Sequence, residues 1–250
     1  MSGHSKWATT KRHKGLVDAK RGKIFSNLAK EITLAARESG GDPSTNMRLR
    51  SILLRARAAN MPNDNIDRAI KKGIGELGDV VFEEIMYEGY GAGGVAVIVD
   101  CLTDNRNRSI SEVRMAFERN NGNLAASGAV SRMFKRQAHF VITGEWADEE
   151  KLMDIVLDAG ANDLIVEDGE AEIWADPENF EPIAKALEEK GIVTETAEQT
   201  RRPEMTVTIT DAKVASQVIR MIEKLEESDD VQNVTANYLI DDSIADQIED

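Results

Sequence analysis

Helical periodicity confined to the first third of the chain, a β-α-β-β-α-β order of elements between residues 136 and 202, and short β-branched strands on both sides of that order predict an α+β multidomain protein. The plan is an N-terminal three-helix bundle plus two α+β domains, one ferredoxin-like and inserted in the other. At 250 residues the chain is too long for one small core and suits two or three domains. The expected divisions are a mobile basic tail over 1–15, the bundle over 16–76, a middle domain from 77–135 and 203–240, the insertion over 136–202, and a frayed acidic tail over 241–250.

Residues 1–15 have no apolar period, so they cannot bury a core. Over 18–37 the period becomes helical and places Ile24, Leu28, Ile32 and Ala35 on one face. The run from Ser39 to Pro43 stops that helix with glycine at the cap and proline beyond. A second helix spans about 45–59 with Leu49, Ile52, Leu53 and Ala56 inward. Pro62 and Asn63 break it, Asn63 serving as cap for a third helix that carries Ile66, Ile70 and Ile74.

Beyond residue 75 the pattern changes. Strands over 80–87 and 95–102 flank a glycine-rich turn, and 108–119 is helical with Ile110, Val113 and Phe117 on one face. The insertion reads as strand 139–143, helix 148–159, a hairpin of 163–167 and 171–175 across Asp168-Gly169, helix 178–190 and strand 192–198. Arg201-Arg202-Pro203 then ends the unit. The remainder, strand 205–209, helix 211–227 and strand 231–238, has too few strands to stand alone and completes the sheet of the middle domain.

Charge separates the bundle from the rest. Residues 1–75 hold 16 Lys/Arg against 6 Asp/Glu, and the remaining residues 15 against 39, so a formal net of −14 conceals a basic module on an acidic body. On the first helix Lys23, Lys30 and Arg37 recur every seven residues opposite the apolar face. On the second, Arg48 with Arg55 and Arg50 with Arg57 flank the buried stripe, with few local carboxylates, which suits planar contact with phosphate. Lys71 and Lys72 end the third helix, where the helix dipole alone would also favour them. Lys6, Lys11, Arg12 and Lys14 of the tail and Lys20, Arg21 and Lys23 extend the basic surface. Trp7 either stacks on an exposed base or folds back on the bundle. The segment Asn60, Met61, Pro62, Asn63 and Asp64 sits at the bundle tip, either as a functional loop or as an ordinary break and cap.

Other chemistry finds little support. Gly89, Gly91 and Gly94 match G-x-G-x-x-G, but a strand rather than a helix follows, so a tight turn between strands is the better reading. His4, His13 and His139 have no ligand spacing with one another or with Cys101, so no metal or cofactor is expected. Cys101, the single cysteine, lies in an apolar run as a core residue, and Glu83, Glu84 and Glu88 read as a solvated acidic face. No nucleophile–base arrangement is recognisable, so an enzyme is not expected. The N-terminus lacks an apolar signal region, and the longest apolar stretch, Val95 to Val99, is far short of the roughly 20 residues of a membrane helix. The expectation is a protein of the reducing cytoplasm with no membrane partner.

A series of motifs then carries a family resemblance: Met1-Ser-Gly-His-Ser-Lys-Trp7, Asp18-Ala-Lys-Arg-Gly-Lys-Ile-Phe25, Gly40-Gly-Asp-Pro43, Asn60-Met-Pro-Asn-Asp-Asn-Ile66, Arg68-Ala-Ile-Lys-Lys-Gly73, Tyr87-Glu-Gly-Tyr-Gly91 and Leu102-Thr-Asp-Asn-Arg-Asn-Arg108. Together they closely resemble the YebC family of transcriptional regulatory proteins, which includes the mitochondrial translational activator of cytochrome oxidase. Ala92, Ser109 and the run Ala129-Val-Ser-Arg132 depart from the family's usual residues. The resemblance implies a helical bundle with two α+β domains, one inserted in the other. It also implies a DNA-binding transcriptional regulator or, alternatively, a ribosome-associated factor that eases translation through difficult sequences such as proline runs. The expected partner is accordingly duplex DNA or ribosomal RNA, the latter within the ribosome. No helix-turn-helix signature is evident, and the basic stripes suit backbone contact more than base readout.

Overall fold

The computed structural model of the chain describes residues 17–78 and 81–248, so Lys6, Trp7, Lys11, Arg12 and Lys14 lie outside the described residues. The chain divides into two compact units, one running to Ser131 and again from Met205, the other Arg132–Glu204.

The first unit begins with helices Val17–Ser39 (α1), Met47–Ala58 (α2) and Asn63–Gly73 (α3). Leu28, Ile32, Ala35, Leu49, Ile52, Leu53, Ala56 and Ile66 form their common core, as the periodicity requires. Two expected core residues do not join it: Ile24 is 47% exposed and Ile74 46%. Ile74 is the C-cap of α3, past its last helical residue, and on α1 it is Phe25 rather than Ile24 that packs on the core. Asn46, buried, starts α2: its side-chain oxygen accepts from the Leu49 N–H at 2.9 Å while its amide donates to the Ala35 and Gly40 carbonyls, both at 2.8 Å. One side chain thus caps one helix and satisfies the end of another. Asn63 is not a cap, since Pro62 holds that position without a side-chain bond and Asn63 is the first helical residue.

The rest of this unit is a four-stranded antiparallel sheet. Strands Glu83–Tyr90 (β1) and Ala96–Thr103 (β2) form its central hairpin; Asn123–Leu124 (β3) and Val231–Ala236 (β9) flank them in the order β3-β1-β2-β9. Helices Arg106–Glu118 (α4) and Ala212–Glu227 (α7) supply Val113, Phe117, Val218 and Met221 to the core beneath Val97, Val99 and Cys101. β1 is displaced three residues from its expected place and takes Gly89 and Tyr90 into the ladder. A Cβ on Gly89 would come within 2.6 Å of the Phe117 ring and 2.7 Å of the Asn123 carbonyl, so only glycine lets β1 run on. Glu88 is no solvated acid: it is 2% exposed, and its carboxylate accepts from the backbone N–H groups of Gly128, Val130 and Ser131 at 2.7–2.9 Å. Burial would raise its pKa, but those three donors hold it below the usual value.

The C-terminal remainder completes the sheet only in part. β9 pairs with β2, whereas Val207–Ile209 (β8) pairs in parallel with Tyr238–Ile240 (β10) as a separate two-stranded sheet. Nor is the acidic end simply frayed: Asp241 caps a short 3₁₀ segment, Asp242–Gln247, that buries Ile244 in the core.

The second unit orders its strands β5-β6-β4-β7, formed by Phe134–Thr143 (β4), Ala161–Glu167 (β5), Glu170–Ala175 (β6) and Thr196–Pro203 (β7). Helices Glu149–Asp158 (α5) and Phe180–Glu189 (α6) pack Leu152, Val156, Ile183 and Leu187 on Phe140, Ile142 and Ile173, which is the ferredoxin-like plan. Asp168 and Gly169 both adopt positive φ (52° and 82°), the geometry a two-residue hairpin needs. β4 starts five residues earlier than expected, and β7 runs through Arg201, Arg202 and Pro203 instead of stopping before them. Proline is tolerated at Pro203 because it closes the strand, opposite Phe134.

Replacing Asn46 by Ala removes a cap and orphans two carbonyls, so the urea midpoint should fall by the equivalent of about 2 kcal/mol. Ser44→Ala, an exposed neighbour, should change stability by less than about 0.5 kcal/mol.

Candidate nucleic-acid interface

α2 buries one face and leaves Met47, Arg48, Arg50, Ser51, Leu54, Arg55 and Arg57 exposed, none of them acidic. The four arginines are not equivalent. Arg48 pairs with Glu38 at 2.8 Å and with Glu84, and Arg55 pairs with Glu31. These carboxylates are distant in sequence and arrive from α1 and β1 by tertiary folding. Arg50 donates to the Pro43 and Ser44 carbonyls, each at 3.0 Å, which fixes its fork without cancelling its charge. Arg57 has no hydrogen bond or ion pair among the described residues. On the same helical face stand Met47, 75% exposed, and Leu54, 61% exposed. The free face is therefore Met47, Arg50, Leu54, Arg57, alternately apolar and cationic. Its two apolar members escaped the sequence reading, although both fall off the inward stripe.

α3 follows α2 after four residues, 59–62, with Asn60 at φ 58°. That length is common to helix-turn-helix connections. On α3, however, exposed Asp64 and Asp67 offset Arg68 and Lys71, so it presents no comparable basic face. Lys72 lies 5.5 Å from the Phe82 ring centroid. In the tip segment Met61 is a core residue, 5% exposed, while Asn60, Pro62, Asn63 and Asp64 face solvent.

The stripe on α1 is not a solvent stripe, which corrects the reading of Lys23 and Lys30. Lys23 donates to the Ser228 carbonyl at 2.9 Å, and its burial lowers its pKa. Lys30, only 16% exposed, donates to the Asp229 carbonyl at 2.7 Å and pairs with Asp230 at 3.0 Å. The side of α1 away from the bundle core is seated on the turn before β9, where Asn27 also donates to the Val231 carbonyl at 3.3 Å. Arg37 remains exposed in the last turn of α1. Lys20 and Arg21 lie in α1, and their side chains are outside the described set.

Asp230 is the centre of this contact. Its carboxylate, 2% exposed, accepts from Arg108 Nη2 at 2.7 Å, Thr103 Oγ1 at 2.9 Å, Ser109 Oγ at 2.9 Å and Lys30 Nζ at 3.0 Å. Burial would raise its pKa, yet these donors, Arg108 first, hold it at about 2. A cleft of about 790 Å³ opens beside it, with Lys72, Arg119 and Lys224 opposed by Asp104, Glu112 and Glu227. Such mixed walls select neither sign of ligand. Cys101 is buried, and desolvation with the charges of Asp230 and Asp100 pushes its thiol to about 12, which leaves it unreactive. Gly91, Gly93 and Gly94 close the β1–β2 hairpin, strand to strand, and Gly89 pairs with Val97 within it. No helix among the described residues is long and apolar enough to cross a membrane.

The chain matches two family models, the TACO1/YebC protein N-terminal domain over residues 5–76 and the TACO1/YebC second and third domain over residues 82–238. It is 51% identical over 240 residues to a "Probable transcriptional regulatory protein" of Treponema denticola, covering 96% of this chain and 97% of that one. A protein of the same description from Acidobacterium capsulatum is 52% identical over 238 residues, covering 95% and 96%. The crystal structure of a conserved hypothetical protein from Aquifex aeolicus superposes with a TM-score of 0.83 at 45% identity, covering 91% of this chain and 93% of that one.

Because the Asp230 carboxyl lies near 2 folded and near 3.8 in a free aspartate, its contribution is complete above about pH 4 and is lost as pH falls toward 2. Between those limits the wild type should lose about 2 kcal/mol that an Asp230→Asn variant lacks at every pH, read from urea midpoints. At neutral pH that variant should be destabilised by about 3 kcal/mol, since Arg108 and Lys30 lose their buried partner.

Proposed function

The chain belongs to the TACO1/YebC family, and we propose that it is a non-enzymatic, nucleic-acid-binding regulatory protein, a DNA-binding transcriptional regulator whose contact surface is the basic bundle. The observation that carries this reading is the outward face of α2, where Arg50 and Arg57 keep their charge uncompensated between two exposed apolar side chains. Guanidinium forks suit phosphate oxygens, and Met47 and Leu54 suit sugars and base edges, such as the thymine methyl. Arg37 and Lys71 extend the same contact, and the tail cations 6–14 with Lys20 and Arg21 add to it. The acidic remainder orients the module and opposes indiscriminate coating of nucleic acid.

In this reading Asp230 and Glu88 serve the fold, since both are buried and hydrogen-bonded within it, and Cys101 is a buried core residue. The protein works in the cytoplasm and needs no cofactor in this reading. A second reading, a ribosome-associated translation factor, is favoured by the alternation of apolar and cationic groups on α2, which fits a surface of mixed RNA and protein.

Arg50→Ala with Arg57→Ala should weaken binding similarly across DNA sequences. It should also flatten the slope of log K against log salt by about 1.8, at about 0.9 per phosphate contact on duplex DNA. Loss on one sequence alone would make these arginines base readers, and an unchanged slope would remove the face from the interface. Co-sedimentation with purified ribosomes that needs residues 1–75 and survives competing promoter-length DNA would decide for the translation factor.

A further inference from the structure

The Arg132–Glu204 unit holds 8 Lys/Arg against 19 Asp/Glu and would be repelled as a whole by any polyanion. Its cations are not spread evenly. Because β4 starts at Phe134 and β7 continues to Pro203, the register sets Lys135 opposite Arg202 and Arg136 opposite Arg201, with Arg132 just before β4. Five of the unit's eight cations therefore meet at one end of its sheet. Two of them have local partners: Lys135 pairs with Asp176 at 2.7 Å, and Arg202 pairs with Asp163 at 3.0 Å and lies 4.8 Å from the Trp174 ring centroid. Arg132 and Arg136 are exposed and make no ion pair with another described residue.

Glu167, Asp168 and Glu170 surround the β5–β6 hairpin at the other end and Glu195 precedes β7, while Asp163, Asp176 and Glu204 lie beside the cations. From Arg136 to the end of β4 is about 23 Å at the usual strand rise, nearly three Debye lengths at physiological salt. A polyanion touching the basic end would be screened from the hairpin acids. The positive charge that end leaves without an ion pair among the described residues is that of Arg132 and Arg136, since Lys135 and Arg202 pair with Asp176 and Asp163.

We propose that this basic end, centred on Arg132 and Arg136, is a second contact for the phosphate backbone of the nucleic acid bound by the bundle. The inference rests on the nucleic-acid reading of the bundle and adds a separate module to it. A second contact on one ligand turns its binding into an intramolecular event and raises affinity without requiring base recognition.

The test uses the full chain and a fluorescent 40-base-pair duplex DNA probe, with affinity measured by anisotropy across a salt series. Arg132→Ala with Arg136→Ala should flatten the salt slope by about 1.8, and Arg132→Lys with Arg136→Lys should restore it. Combined with Arg50→Ala and Arg57→Ala, the loss should roughly double, to about 3.6, if the two contacts are independent. An unchanged slope for the 132/136 pair beside a flattened one for the 50/57 pair overturns this proposal and leaves the bundle reading intact, as it would if the basic end served an acidic protein. The reverse pattern removes the bundle and keeps the inserted unit as a contact. A duplex that binds neither end overturns both.

Discussion

The first unit depends on the burial of one carboxylate. Asp230 sits in the turn before β9 and receives donors from α1, from the end of β2 and from the first turn of α4. Removing a carboxylate from water costs several kcal/mol, and here four side chains offset that cost together. The same residues account for the Leu102–Arg108 motif without reference to a ligand. Thr103 accepts from the Asn105 N–H at 2.9 Å, Asn105 caps α4, and Arg108 closes on Asp230. A local turn, a helix start and a tertiary anchor share one short segment, so Thr103, Asn105 and Arg108 each have a structural role.

Much of the fold was readable because it rests on local rules. The inward stripes of α2 and α4, the Asp168-Gly169 turn and the β-α-β-β-α-β order follow from periodicity and turn chemistry. What escaped the reading depends on partners far along the chain. Glu88 looked solvated because nothing near it signals that Gly128, Val130 and Ser131 will fold over it. The two arginines before Pro203 looked like a terminus, yet pairing with β4 carries the strand through them. β8 looked like part of the large sheet, but its neighbour is β10, which lies beyond β9.

The candidate interface shows the same limit in electrostatic form. A count over 75 residues measures charge, whereas binding depends on charge that the fold leaves uncompensated. Lys23, Lys30, Arg48 and Arg55 contribute to the basic count, but folding gives each a partner of its own. The reverse holds in the acidic body, where strand register gathers scattered cations at one end of a sheet. Regional averages therefore overstate the first surface and hide the second.

The insertion's two ends are also neighbours. Phe134 and Pro203 are ladder partners, and the Glu204 N–H donates to the Met133 carbonyl at 2.9 Å. Before the inserted unit folds, β3 and β8 are joined by a chain of more than seventy residues, whose closure costs about 4 kcal/mol in entropy. Once it has folded, only residues 125–131 and 205–206 of that connection lie outside the inserted unit. The order of folding is thereby biased: early collapse of the inserted unit shortens the search by which the two halves of its host assemble.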